Sequence, residues 1–201
     1  MNAANYVSGL AARQKANLQQ TTITTEYTYE LLRKWGTEGD GYGQFDGPWG
    51  LEINRDGHIY VADNDNCRIQ AFDSQGRLLR KWGEYGCKDG QLDDPLGLAL
   101  DKDSNVYVTD AGNHRIQVFD PHGRFLRKWG TQGEGDGQFD LPIGLALDDE
   151  SNVYVADTSN HRIQVFDPHG RFMRKWGTKG EGDGQFRFPS GLAIDGVATF
   201  T

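Results

Sequence analysis

The tetrapeptide Arg-Lys-Trp-Gly occurs four times, and its tryptophans, Trp35, Trp82, Trp129 and Trp176, stand 47 residues apart at every step. Gly-Gln-Phe/Leu recurs from Gly43, Gly90, Gly137 and Gly184, and Gly-Leu-x-Ile/Leu from Gly50, Gly97, Gly144 and Gly191, in the same register. A fixed tandem period of this length constrains the fold more than any single motif. One supersecondary unit must stack on copies of itself to bury its apolar face. Residues 105–140 and 152–187 differ at only six of 36 positions, the mark of a recent duplication.

Each unit holds four short runs rich in Val, Ile, Tyr and Phe, punctuated by Gly, Pro, Asn and Asp, as strands and turns require. In the second full unit these are Gly97–Asp101, Asn105–Asp110, Arg115–Asp120 and Arg124–Trp129. Asp120-Pro121-His122-Gly123 between the last two has type I turn chemistry, with Pro presetting φ and Gly relieving the fourth position. Leu98 and Leu100 alternate with Gly97 and Ala99, so the first strand shows a small-residue face. That suits an inner strand crowded by its counterparts around a ring. Four strands in 40–50 residues, repeated in tandem, predict an all-β chain: a β-propeller of four-stranded antiparallel blades with about four repeats.

The unit "GDGQFDLPIGLALDDESNVYVADTSNHRIQVFDPHGRFMRKWG", with Asn160-His161-Arg162-Ile163 at its centre, resembles the NHL repeat over roughly residues 20–201. The resemblance implies a propeller, six-bladed in most of the family. It implies a role among protein-interaction platforms, RNA-binding domains of tripartite-motif ubiquitin ligases, bacterial sensor domains and a peptide-amidating lyase. A repeat of this kind fixes the fold far better than the activity.

The register places whole blades at 48–83, 95–130 and 142–177. Carried backwards, it makes Thr21–Thr25 and Glu30–Trp35 the third and fourth strands of a blade. Carried forwards, it makes Gly191–Asp195 a first strand and Ala198–Thr201 the start of a second. The expected composite blade, 20–36 with 189–201, removes exposed sheet edges. It closes either a four-bladed ring within one chain or an eight-bladed ring between two, a homodimer; a fragment of a longer propeller is the third alternative. Residues 1–19 lie outside the repeat and read as a disordered tail or a short docking helix.

Net charge is −8, and residues 1–20 hold Arg13 and Lys15 but no carboxylate, so the repeat region is still more acidic. An acidic body repels phosphate backbones, which counts against sequence-independent nucleic-acid binding. No run of about 18 apolar residues or signal-like segment is visible, so no membrane partner is expected and the default location is cytoplasmic. Two cysteines are too few for a disulfide scaffold.

Cys67, His114 and His161 share one repeat position, yet a zinc ion needs its ligands within about 2.0–2.3 Å of one point. Separate blades hold them apart, so no metal is expected; each histidine is read as bonding its own turn. Asp63/Arg68, Asp110/Arg115 and Asp157/Arg162 recur in every full unit and read as a structural motif, Asp capping the turn and Arg answering with a bidentate link. The glycine-rich loops lack both the Gly-Lys-Ser/Thr of a phosphate loop and the ordered oxygens of an EF-hand. Arg124, Arg127 and Lys128 beside Trp129, with their copies, suit an RNA-contacting rim.

Binding candidates are the positions that break the repeat. Trp49 stands where other units have Leu96, Ile143 and Ser190, and Glu52 replaces Ala99, Ala146 and Ala193. Tyr42 replaces Asp89, Asp136 and Asp183, Arg187 replaces Asp46, Asp93 and Asp140, and Tyr85 and Lys88 are unmatched in their loops. Tyr42, Trp49 and Glu52 are expected together at the channel mouth. No catalytic constellation or cofactor motif emerges. The sequence reads as a non-enzymatic platform for a protein or peptide, with RNA binding as the alternative and a lyase- or hydrolase-like enzyme behind it.

Overall fold

The computed structural model describes residues 34–194. They form twelve strands in three four-stranded antiparallel sheets. The first blade comprises β1 (Pro48–Ile53), β2 (Ile59–Asp63), β3 (Arg68–Phe72) and β4 (Leu78–Trp82). The second comprises β5 (Pro95–Leu100), β6 (Val106–Asp110), β7 (Arg115–Phe119) and β8 (Phe125–Trp129). The third comprises β9 (Pro142–Leu147), β10 (Val153–Asp157), β11 (Arg162–Phe166) and β12 (Phe172–Trp176). Strands thus fall where the 47-residue register predicts, within a residue or two.

Pairing is in sequence order in each sheet, and each β2–β3-type hairpin closes in the same register, Asp63↔Arg68, Asp110↔Arg115 and Asp157↔Arg162. β1 packs beside β5 and β5 beside β9, so the first strand of each blade is innermost. The glycine of that strand explains its small-residue face: a Cβ on Gly97 would stand 2.4 Å from the Ile143 carbonyl oxygen of the next blade. The two middle strands are buried throughout, whereas the outermost strand alternates.

Blades stack through apolar seams. Tyr60, Ala62, Ile69 and Ala71 of the first blade meet Leu92, Leu98, Val106, Val108 and Phe119 of the second. The next seam repeats this with Ala99, Tyr107, Ile116 and Val118 against Phe139, Leu145, Val153, Val155 and Phe166. The recurring tryptophan has a specific seat. Gly123 has φ +83 and closes its turn with a 2.9 Å bond to the Asp120 carbonyl, and its bare Cα lies against the Trp82 ring of the preceding blade.

The arc of three blades is open among the described residues. Strands predicted at Thr21–Thr25 and Ala198–Thr201, residues 1–19, and Glu30–Trp35 up to Arg33 lie outside them. The strand predicted at Gly191–Asp195 does not form over 191–194, and Asp195 lies outside the described residues. A first strand pairs with the second strand of its own blade, and that position falls at residue 198 and beyond. No helix among the described residues is long and apolar enough to cross a membrane.

Candidate interaction surface

Every loop that leads from one blade into the next lies at the same end of the arc, tied down by the repeated Asp–Arg motif. In the second blade, Asp110 is fully buried and accepts from Asp93 N at 2.7 Å, Asn113 Nδ2 at 2.9 Å, Arg115 Nε at 2.5 Å and Gln117 Nε2 at 2.8 Å. The ion pair uses Nε alone, so the expected bidentate link is not made. The two outer guanidinium nitrogens donate instead to the Cys87, Lys88 and Gln91 carbonyls. The fork is better spent there, because each connecting loop is rich in glycine and leaves its carbonyls unpaired. Gln117 adds a bond from Gly90 N to its Oε1 and one from its Nε2 to the Gln91 carbonyl. Asp63/Arg68 and Asp157/Arg162 repeat the pattern, with Asn66 and Asn160 in the place of Asn113. The asparagine and glutamine belong to this network as fully as the ion pair, and their recurrence in every unit was the signal that could have revealed them.

The shared histidine position also differs from expectation. Cys67, His114 and His161 all adopt left-handed backbone with φ of 50, 52 and 56. The His114 Nδ1 accepts from Leu141 N of the next blade at 3.2 Å, and His161 Nδ1 accepts from Phe188 N at 3.1 Å, so each histidine bonds across a seam rather than within its own turn. Among the described residues no group of three or more metal-binding side chains converges.

The basic rim is spoken for. Arg77, Arg124 and Arg171 pair with the turn carboxylates Asp73, Asp120 and Asp167. Lys128 and Lys175 reach Asp89 and Asp136 at 2.6 Å. Arg127 donates to Tyr107 Oη and to the Pro168 carbonyl of the next blade, each at 2.7 Å, and Arg80 bonds the Pro121 carbonyl likewise. Trp129 is packed into a seam rather than offered for base stacking. The basic groups that suggested an RNA rim thus have partners within the fold, although the Arg77, Arg124 and Arg171 side chains remain largely exposed.

The repeat-breaking residues divide between the two ends of the arc. Tyr42, Trp49 and Tyr85 stand at the loop end, exposed to 78%, 64% and 73%. Tyr42 lies under Lys81 Nζ, 4.6 Å from its ring centroid, so a cation–π contact replaces the Asp–Lys pair of the other blades. Lys88 is exposed beside Tyr85 on a loop whose backbone is fixed, its N–H bonded to Gln91 Oε1. Arg187 pairs with Glu181 at 2.7 Å, at the far edge of the third blade. Glu52 is on the opposite end of β1, where it lines a cavity of about 250 Å³ with Leu100, Asp101, Leu147 and Asp148. Tyr42, Trp49 and Glu52 therefore do not form one site: the first rests on the outermost strand, while Glu52 faces the axis at the other end. Burial pushes the Glu52 carboxyl above its ordinary value, and the Ile53 backbone N–H offsets only part of that.

The NHL repeat model matches residues 45–72, 92–119 and 139–166, one copy in each blade. The E3 ubiquitin-protein ligase TRIM71 of Rattus norvegicus is 48% identical over 42 residues, 21% of this chain and 5% of that protein. Protein lin-41 of Caenorhabditis elegans is 43% identical over 42 residues, 21% of this chain and 4% of that protein. The chain thus matches only a small fraction of these relatives' length. Among solved structures, Kuenenia stuttgartiensis hydrazine synthase has a TM-score of 0.56 at 16% identity, over 72% of this chain and 38% of that one. Virginiamycin B lyase from Staphylococcus aureus has a TM-score of 0.54 at 15% identity, over 72% of this chain and 44% of that one. Likeness at that identity carries the fold alone. With one repeat match per blade, and blades that stack through one repeated seam, the chain is an NHL-repeat protein of β-propeller architecture.

Proposed function

We propose that the chain is a non-enzymatic binding platform whose loop end receives a protein or peptide. The observation that carries this reading is the placing of Tyr42, Trp49 and Tyr85, three exposed aromatic side chains at positions that break the repeat, all on the loop end. Large aromatic residues on a rigid frame give contact area at low ordering cost and dominate interface energetics. The loops that carry Tyr42 and Tyr85 are held by buried networks, so the surface is built before a partner arrives. An RNA partner fits less well, because the outer-strand basic groups described above already have carboxylate or carbonyl partners. The relatives' names speak of ligases as whole proteins, and that activity is not carried to this chain.

The test is selection of peptides from a random display library against the wild-type chain, followed by titration into W49A/Y85A. Removing two aromatic anchors is expected to weaken the selected peptides by roughly 30-fold or more, at about 1–2 kcal/mol each. Selected peptides that bind the variant as well as wild type would overturn the assignment of this face. Tighter binding of a single-stranded oligouridine probe, falling steeply with salt, would move the reading to RNA.

A further inference from the structure

Charged residues at the loop end break the repeat in the same place as the aromatic ones. Asp65 stands where the second and third blades have Gly112 and Ser159, and Asp94 where the other entering loops have Gly47, Leu141 and Phe188. Asp93 is the ordinary residue of its position, but the histidine that faces its counterpart is missing. At the second seam His114 Nδ1 lies 3.5 Å from Asp140 Oδ1, whereas Cys67 takes the histidine position at the first. Further round, Arg187 replaces the aspartate and pairs with Glu181. Three carboxylates thus gather at the seam between the first and second blades, and among the described residues no ion pair reaches any of them. Asp65 and Asp94 are exposed and Asp93 is half-buried. Two groups register the uncompensated charge. Burial and then the Asp94 and Asp110 carboxylates raise the Asp93 pKa, with His114 opposing them. Burial raises the Cys67 thiol pKa, and the charges on Asp93, Asp94 and Asp110 add to it against a backbone hydrogen bond at Asp94 that lowers it.

These carboxylates lie among the exposed aromatic residues. The Asp65 carboxylate lies across Gly47, 2.6 Å from where a Cβ would be, two residues before Trp49. Gly50, next to Trp49, is seated on the Leu96 carbonyl, two residues beyond Asp94. Tyr85 is bridged to Leu92, which precedes Asp93. Both blades that form this seam, and the loop between them, lie wholly within the described residues. We propose, resting on the reading of this end as a peptide platform, that its partner is a basic peptide segment whose lysine or arginine side chains settle on Asp65, Asp93 and Asp94 while its apolar side chains cover Trp49 and Tyr85. Opposite charge across such a contact steers encounter and fixes register more than it adds raw affinity. A cation beside an indole or phenol face gains cation–π attraction as well. A metal ion is a poorer occupant, because among the described residues no group of three or more metal-binding side chains converges. A polyanion is repelled by the same carboxylates.

The test uses a phage-displayed library of random peptides selected at low salt against the 201-residue chain. The recovered sequences are expected to be enriched in lysine and arginine. Each is then titrated into wild type, W49A/Y85A and D65N/D94N. The last variant removes two charges and keeps the shape. Sibling blades carry uncharged residues at both positions, and Asp94, Leu141 and Phe188 share one left-handed backbone with φ of 49, 47 and 53, which Asn also tolerates. An unchanged far-ultraviolet spectrum and a cooperative melt are therefore expected. Binding is expected to weaken roughly tenfold in D65N/D94N, each exposed charge contact being worth at most about fivefold, and to depend less on salt than in wild type. Neutral or acidic selected sequences, or peptides that need Trp49 and Tyr85 yet bind D65N/D94N as tightly as wild type, overturn the basic partner and leave the platform standing. Loss in D65N/D94N alone upholds the cation contacts and refutes the aromatic cover. Peptides that bind both variants like wild type, or the recovery of none, overturn the platform reading and this proposal with it.

Discussion

Replacing Asp110 by Asn probes what holds the loop end together. The carboxylate is wholly buried; its Oδ1 accepts from Asp93 N and Asn113, and its Oδ2 from Arg115 and Gln117. Asn keeps the shape but turns one of those oxygens into a donor, facing two donors in either amide orientation. It also leaves the Arg115 guanidinium buried without its counter-charge. Breaking one side of a buried, hydrogen-bonded pair costs about 3–5 kcal/mol. Against a domain stability of about 5–15 kcal/mol, that is a large share. With a urea slope of about 2 kcal/mol/M, the midpoint falls by roughly 2 M. Tryptophan fluorescence reports the loss, since Trp82 and Trp129 sit in the seams on either side. D89N is the matched control: Asp89 pairs with Lys128 in solvent, and exposed pairs contribute under about 1 kcal/mol. If D110N and D89N unfold within about 1 kcal/mol of each other, the claim that the buried network fastens the loops is wrong. A cycle with R115M sharpens the test, because two members of one network are expected to be strongly non-additive.

Two further outcomes follow from the inner strands. Glu52 has its carboxyl pKa raised by burial, so the folded state holds its proton more tightly than the unfolded chain; stability from this group is present at pH values below the ordinary 4.5 and is lost as pH rises through the folded value. E52A, which restores the residue found at 99, 146 and 193, is therefore expected to melt above wild type at pH 7, with the gap narrowing on acidification towards pH 4; a gap that does not move with pH would refute the burial argument. G97A places a methyl 2.4 Å from the Ile143 carbonyl and 3.2 Å from Thr109 Oγ1, forcing two blades apart at a cost of about 1–3 kcal/mol or more, and an unchanged melting temperature would show that the seam yields.

What was legible in the sequence is what must recur in every blade. Strand bounds, hairpin register and the small inner face follow from local pattern, because each blade repeats the same packing with its neighbour. The seam partners were less legible, since the residues that meet there are far apart in sequence. His114 bonding Leu141, and Arg127 bonding the Pro168 carbonyl, are contacts whose partners lie 27 and 41 residues on, a distance the motif alone does not encode. The same gap misplaced Tyr42. Its neighbour in space is Lys81, which repeat phase would have named had the Asp89–Lys128 and Asp136–Lys175 pairs been foreseen. Departures from a repeat therefore carry two kinds of information, and the partner decides between them. Tyr42 departs together with a contact that its new side chain still makes, to the same lysine position, so part of its signal is compensation within the fold. Trp49 and Tyr85 depart without any such replacement among the described contacts, and both stay exposed. On that ground the weight of a partner-binding argument belongs on Trp49 and Tyr85 ahead of Tyr42, and Glu52, half-buried at the opposite end, answers to the axial cavity instead.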